Sequence, residues 1–406
     1  MFIYRISRFM PIRQRLPRTV LVLGFVSFFN DLSSEMVAPL IPILLVAVLG
    51  AGPVALGVIE GVAEAVASLL KLWAGRHSDR LNGRRKGLAL FGYSLSNAVR
   101  PLLGLAPSWP MLALLRGVDR VGKGVRSAPR DALVADATPP ALMGFAYGYH
   151  RALDNGGAVL GSLAAAAALT FSPASVSHVI LWSALPGLAA VLLLAFGVKS
   201  PKIAAARPLV LPPLRWSALS APMRRYLQVL ALFTFARVSE TFILLRGYAL
   251  GITPPHLLLL WAALNAAKAA TAAGGGRLAD RIGRERVMLT SWIAYSIAFL
   301  LLGQVEQGVG LWAATLGYGL FAGLSEGAER ALISGFATGS ERGTAFGWYH
   351  LLVGLAAVPA GLLFGAVWHY EGAEAAFTLA GAVAGVSAAL LRSRAWPPAA
   401  HAVREV

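Results

Sequence analysis

Residues 75–85 read G-R-H-S-D-R-L-N-G-R-R, and residues 276–286 read G-R-L-A-D-R-I-G-R-E-R. The two copies stand half a chain length apart, each after one long apolar stretch and before another. A polar Gly/Asp/Arg hinge between apolar helices, repeated at matched places, describes a duplicated membrane protein.

The rest of the composition agrees. Of the 406 residues, 57% are hydrophobic and 14% charged, where a soluble domain carries about 25% charged residues. The apolar runs approach the roughly 20 residues that cross about 30 Å of hydrocarbon. Hydropathy predicts spans at 19–48, 54–75, 87–106, 110–133, 142–170, 176–197, 226–250, 256–275, 286–304, 310–334, 343–367 and 373–391. The expected fold is an all-α membrane protein of twelve transmembrane helices in two six-helix, pseudo-symmetric halves. Its parts are an N-terminal half (1–198), a cytoplasmic linker (199–225) punctuated by Pro208, Pro212 and Pro213, and a C-terminal half (226–406).

In isolation, a net charge of +17 suggests a nucleic-acid partner. Its distribution argues against one. Arg5, Arg8, Arg13, Arg15 and Arg18 precede the first span, and Lys199, Lys202, Arg207, Arg215, Arg224 and Arg225 occupy the linker, with no acidic residue between 199 and 225. The intervening turns are uncharged or carry Glu306, Glu371 and Glu374. Basic and non-basic loops therefore alternate, as the positive-inside rule requires. This pattern places the chain in the cytoplasmic (inner) membrane as a multi-pass protein with both termini cytoplasmic. The absence of cysteine excludes disulfides and thiolate metal sites. The apolar run after the basic start is too long for a signal peptide and reads as an uncleaved first helix.

The duplication extends past the loop. Ser34-Glu35 matches Ser239-Glu240, Glu64 stands opposite Asn265, and Ala146-Tyr147-Gly148 is similar to Ala345-Phe346-Gly347. Small residues recur at four-residue spacing, as at Gly57/Gly61, Gly157/Gly161, Gly319/Gly323, Gly361/Gly365 and Gly381/Gly385. That spacing lets helices approach closely in lipid.

On these residues the chain resembles the major facilitator superfamily. The repeated loop is similar to that family's G-x-x-x-D-R-x-G-R-R signature, in which the Asp holds one conformation of the gate by charge contacts. The second copy keeps the spacing, whereas the first carries an extra residue, Leu81-Asn82, before Gly83. The resemblance implies gate roles for Gly75, Asp79, Arg80 and Arg84, and for Gly276, Asp280, Arg281 and Arg284. Two antiporter signatures of the family are present in degenerate form. Arg116 and Gly122 match R-x-x-Q-G-x-G, with Asp119 and Arg120 replacing Gln and Gly. Gly148, Gly157 and Gly161 match G-x8-G-x3-G-P-x2-G, with Ser162 and Ala165 replacing Pro and the last Gly. The run Asp119–Arg126 with Pro129-Arg130-Asp131 is also similar to nickel-resistance-type exporters of the superfamily.

Ionisable residues inside spans are costly and therefore candidates for function. In span 4, Arg116, Asp119, Arg120, Lys123, Arg126, Arg130 and Asp131 fall within an arc of about 140° at ~100° per residue. Either a charge network to the gate or a static salt-bridge lattice fits that stripe. Asp31 and Glu35 share a face of span 1 near its middle, where a carboxylate in a low-dielectric cavity suits proton carriage. Further candidates are Glu60 and Glu64 with Lys71 or Arg100 as partner, His150 with Asp154, Arg237 with Glu240, and Glu326 and Glu329. Asp31, Glu35, His150, Asp154 and His350 together have the oxygen and imidazole character of a divalent transition-metal site. Tyr93, Tyr147, Tyr149, Trp261, Trp348 and Tyr349 equally suit a cavity for an amphipathic organic molecule.

These observations describe a secondary transporter rather than an enzyme. It would be a proton-coupled exporter of a small solute by alternating access, acting as a monomer without a cofactor. Asp31, Glu35, Glu64, Arg116, Asp119, His150, Asp154 and Glu240 are its expected coupling or substrate residues. Its partners would be a small-molecule or ion substrate, protons and the lipid bilayer. A nickel or cobalt exporter is the alternative within that class. A non-transporting sensor or lipid-moving protein is the alternative outside it, and the twin gate loops argue against a static sensor.

Overall fold

A computed structural model describes residues 16–80, 85–138, 143–198, 215–335 and 342–394. These residues are helical, with no strand among them. The first rod is α1 (Arg18–Val37), continued through a tight turn at Pro39, the short α2 (Ile41–Ile43) and a widened turn over Leu44–Val48. Then follow α3 (Pro53–Arg80), α4 (Arg85–Val99), α5 (Trp109–Ala137), α6 (Met143–Phe171), α7 (Val176–Trp182) and α8 (Ala184–Leu192). Past residues 199–214, which lie outside the described residues, come α9 (Ala221–Ala236), α10 (Thr241–Ala249), α11 (Pro254–Ile282), α12 (Arg284–Gln304), α13 (Gly308–Gly335) and α14 (Arg342–Arg394).

Eight helical stretches among the described residues are long and apolar enough to cross a membrane. The polarity of the molecule is inverted relative to a soluble protein. Phe171 and Phe196 are 86% and 84% exposed, whereas Arg100, Arg116 and Asp119 are at most 3% exposed. Apolar rings face outward, where lipid would meet them, and charge faces inward.

Several boundaries differ from the hydropathy reading, each for a local reason. Span 3 tightens at Arg100, where Pro101 withdraws a backbone donor. The two last predicted spans, both within Arg342–Arg394, are separated at Gly372, whose non-helical φ of 91° and ψ of 171° suit glycine. Span 7 divides into α9 and α10. Arg237 leaves the helix with ψ 61°, and Ser239 Oγ, bonded to the Thr241 hydroxyl at 2.8 Å, also accepts the Thr241 backbone N–H at 3.4 Å in place of a ladder carbonyl. One freed carbonyl, that of Ala236, accepts the Tyr295 hydroxyl at 2.9 Å.

The repeated loop also takes a different form. Gly75, Asp79 and Arg80 remain helical at the end of α3, as do Gly276, Asp280 and Arg281 at the end of α11. The reversal in the second copy falls on Gly283, with φ 97°, and Arg284 opens α12. The signature glycine is therefore the left-handed residue between two helices. Arg84 and the side chains of Asp79, Arg80, Asp280 and Arg281 lie outside the described residues.

Within the first half, α1 packs on α6 and α8, and α5 on α3 and α4. Within the second, α13 packs on α11 and α12, and α14 on α9 and α12. Two seams join the halves, α3 against α14 and α6 against α11. The small-residue spacing explains the first seam. A Cβ on Gly57 would overlap the carbonyl of Gly361, one on Gly61 would lie 2.9 Å from Ala357 O, and one on Gly365 would lie 2.6 Å from Pro53 O. The backbones touch there, leaving no room for a side chain.

Gly57→Leu is expected to prevent this closed arrangement. Solute flux into proteoliposomes should fall at least tenfold while the protein still inserts and folds. Wild-type flux in that variant would show that the seam does not have to close during transport.

Candidate functional site

Between the halves lies a cavity of about 560 Å³. From the first half it is lined by Glu35 of α1, Glu60 and Glu64 of α3, and Arg116, Arg120 and Lys123 of α5. The α5 residues recur at four- and three-residue steps, so one face of the helix meets the cavity. From the second half come the broken segment from Arg237 to Thr241, Trp261 and Lys268 of α11, and Tyr318 and Glu329 of α13.

Charges on the first-half wall are extensively shared. Asp119 stands 3.3 Å from Arg100, 3.6 Å from Arg116 and 3.9 Å from Arg120. Arg116 also reaches Glu60 at 3.3 Å. Arg100 is anchored further by Ser33 Oγ and Asn97 Oδ1, both at 2.8 Å. Glu64 accepts from Ser68 at 3.1 Å and faces Lys71 at 4.0 Å. On the second-half wall, Glu240 is paired with Lys268 and accepts the Tyr318 hydroxyl at 2.5 Å, and Glu329 pairs with Arg237 at 3.2 Å.

Two side-chain hydrogen bonds cross between the walls among the described residues, and both end on carboxylates of the first half. Trp261 Nε1 donates to Glu35 Oε2 at 2.7 Å, and Ser239 Oγ donates to Glu60 Oε2 at 3.3 Å. Glu35 has no ion pair with a described cation, and its other hydrogen bond comes from Ser34 at 3.5 Å.

The expected site residues separate into groups. Glu35, Glu64, Arg116 and Glu240 line the cavity. Asp119 lies behind the wall and neutralises it. Asp31 does not line the cavity. It accepts from Asn30 at 2.9 Å and has Asp154, Arg126, Arg130 and Glu35 as charged neighbours. His150 and Asp154 form a pair at 3.4 Å inside the first half, and His150 Nε2 meets Ser27 Oγ at 2.9 Å. No three His, Asp or Glu side chains converge on a common point among the described residues, so the five residues considered for a metal are not brought together. Of the aromatic candidates, Trp261 and Tyr349 line the cavity, whereas Tyr93 is fully buried under the Arg126 guanidinium, 4.8 Å from its ring centre. Sequence reasoning missed Lys268, Tyr318 and Ser239 as site residues. Ser239 had a signal, its pairing with Ser34 in the repeat. Lys268 had a weaker one, a single charge in an alanine-rich span.

The chain matches the Major Facilitator Superfamily model twice, over residues 23–246 and again over 230–405. It is 30% identical over 364 residues to an uncharacterized MFS-type transporter of Methanocaldococcus jannaschii, covering 87% of this chain and 89% of that one. It is also 30% identical over 366 residues to an uncharacterized protein of Mycobacterium tuberculosis, covering 87% of each. Among solved structures, it resembles the nucleoside transporter NupG with a TM-score of 0.76 at 12% identity, covering 92% of this chain and 99% of that one. It resembles a D-xylose–proton symporter with a TM-score of 0.73 at 14% identity, covering 94% and 98%. The chain belongs to the Major Facilitator Superfamily. It is a multi-pass membrane protein and a secondary transporter of small molecules, not an enzyme.

Removing one partner of a buried ion pair strands the rest, at a cost of about 3–5 kcal/mol. Asp119→Asn should therefore lower the unfolding midpoint in detergent sharply. Asp119→Asn with Arg100→Gln should recover part of the loss, and additive losses in the double variant would show that the two groups are not coupled.

Proposed function

We propose that this transporter is a proton-coupled exporter with twelve spans in two halves, set in the cytoplasmic membrane with both termini inside. The span count rests on the eight apolar stretches, the reversal of the last one at Gly372, and three further long helices. Those three, at α4, α5 and α11, fall short on hydropathy, and in α5 much of the charge faces protein rather than lipid. The orientation rests on the basic segments at residues 1–18 and 199–225. The gate loops at Asp79 and Asp280 would sit on that same side.

The observation that carries the coupling is Glu35. It is a carboxylate on the cavity wall, without a cation partner among the described residues, and it accepts a hydrogen bond from the opposite half. Around it stand Arg116, Arg120 and Asp31, with Trp261 opposite. A charged acceptor forms a hydrogen bond about twice as strong as a neutral one. Protonation of Glu35 weakens its tie to Trp261 and lets the halves separate, and deprotonation restores it. Proton binding is thereby linked to which side of the cavity is open. Asp31, placed between Glu35 and the His150–Asp154 pair, is the next group along a proton route through the first half. Glu64 and Glu240 hold cations on either wall.

Glu35→Gln should abolish the response of flux to an imposed pH gradient in proteoliposomes, with substrate exchange at equal pH retained. Asp31→Asn should slow the gradient-driven flux at least tenfold. Gradient-driven flux equal to wild type in Glu35→Gln would remove that residue from the coupling step, and transport that neither needs nor moves protons would sink the coupling itself.

A further inference from the structure

The two walls of the cavity differ in chemistry. The second-half wall carries an aromatic shelf. Phe233 and Trp292 stack with ring centres 3.9 Å apart and planes 1° apart, and Tyr295 meets Phe233 edge-on at 5.3 Å. All three rings line the cavity. Packed on one another and at most 6% exposed, they give that wall a firm apolar, aromatic surface. The first-half wall is ionic, and what matters there is which hydrogen-bonding capacity remains unused.

The carboxylates of that wall are engaged by hydrogen bonds or ion pairs. Glu35 accepts from Trp261 and Ser34, Glu60 is held by Arg116 and Ser239, Glu64 by Ser68 and Lys71, and Asp119 behind the wall is shared by three arginines. The unused donors are cationic. Lys123 pairs with no carboxylate among the described residues, and its charged neighbours include Arg120, Lys71 and Arg126 as well as Glu64. Arg120 stands 3.9 Å from Asp119, its nearest ion pair, which is beyond hydrogen-bond range. An ammonium and a guanidinium together offer eight N–H donors, and these two meet the cavity one helical turn apart. On the opposite wall, Ser291 Oγ is buried without a hydrogen-bond partner among the described residues. It supplies a neutral donor beside the aromatic shelf.

We propose that the cavity binds an amphipathic organic anion, its charged head between Arg120 and Lys123 and its planar body on Phe233, Trp292 and Tyr295. This rests on the transporter reading of the same cavity and adds the class of cargo. A cation would meet Lys123 and Arg120 as like charges; Glu60 and Glu64 are already ion-paired, and Glu35, which has no ion pair with a described cation, is held by Trp261. A neutral ring would leave those donors desolvated and unsatisfied. The cavity volume exceeds what a two-ring body needs and lies within the range of small-molecule sites, ~300–1,000 Å³.

The test uses matched two-ring probes on the full chain in nanodiscs: 1-naphthoate, 1-naphthyl phosphate, 1-naphthylmethylammonium and 1-naphthalenemethanol. Equilibrium binding of radiolabelled probe is the readout. At least one anion should bind ten times more tightly than the cation and the alcohol. Lys123→Gln and Arg120→Gln should each weaken it about tenfold, Lys123→Arg should restore most of the loss, and Trp292→Ala should weaken all the probes alike. Equal or tighter binding of the ammonium or the alcohol overturns the proposal, as does unchanged anion affinity in Lys123→Gln or failure of both anions to bind. Because binding is read without flux, an anion that binds but is not carried leaves the site standing and counts against the exporter reading. Proton-driven flux of the ammonium probe does the reverse.

Discussion

Everything in this molecule depends on one carboxylate serving three guanidiniums. Asp119 lies among Arg100, Arg116 and Arg120 in a region shielded from water. In hydrocarbon an isolated charge is costly, so the cluster has to be assembled from several helices at once. Arg100 comes from the end of α4, where Pro101 has loosened the helix, and Arg116, Asp119 and Arg120 come from α5. The contact ties α4 to α5 and, through Arg100 with Ser33 and Asn30, ties both to α1. With α5 held in that rotation, its remaining face presents Arg116, Arg120 and Lys123 to the cavity.

The second half solves the same problem by breaking a helix. The gap between α9 and α10 places Arg237, Ser239 and Glu240 on the cavity wall, where an unbroken helix would send half of these residues elsewhere. Irregular backbone at this depth is tolerated because it faces protein and a polar cavity rather than lipid. The two walls meet through backbones at the Gly57–Gly361 seam and through side chains at Glu35–Trp261 and Glu60–Ser239. The first is fixed by the size of the residues and the second by hydrogen bonds to carboxylates.

Much of this was legible from residue order. The repeated loop and the small-residue spacing pointed to closely packed helices in a membrane, and Gly57 does meet Gly361, with Gly61 against Ala357 and Gly365 against Pro53. Glu35, Glu64, Arg116 and Glu240 lie at the cavity as the buried-charge argument expected. The break at Arg237 was not legible, because no glycine or proline marks it; Ser239 and Thr241 compete for the backbone only in that setting. The separation of Asp31 from Glu35 was hidden too. One turn apart, they share a helical face, but that face is divided between the cavity and the inner cluster around Asp154.

Sequence alone determined that the chain is helical and membrane-embedded, since apolar length admits few other solutions, and its repeated polar hinge pointed to a duplicated build. It also pointed to charge within the spans facing inward, as Arg100, Arg116 and Asp119 do. Only the tertiary structure decided which charges neutralise one another and which are left over. That depends on distances of a few ångströms between helices remote in the chain: Asp119 answers to Arg100, Glu64 to Lys71, and Lys123 to no carboxylate among the described residues.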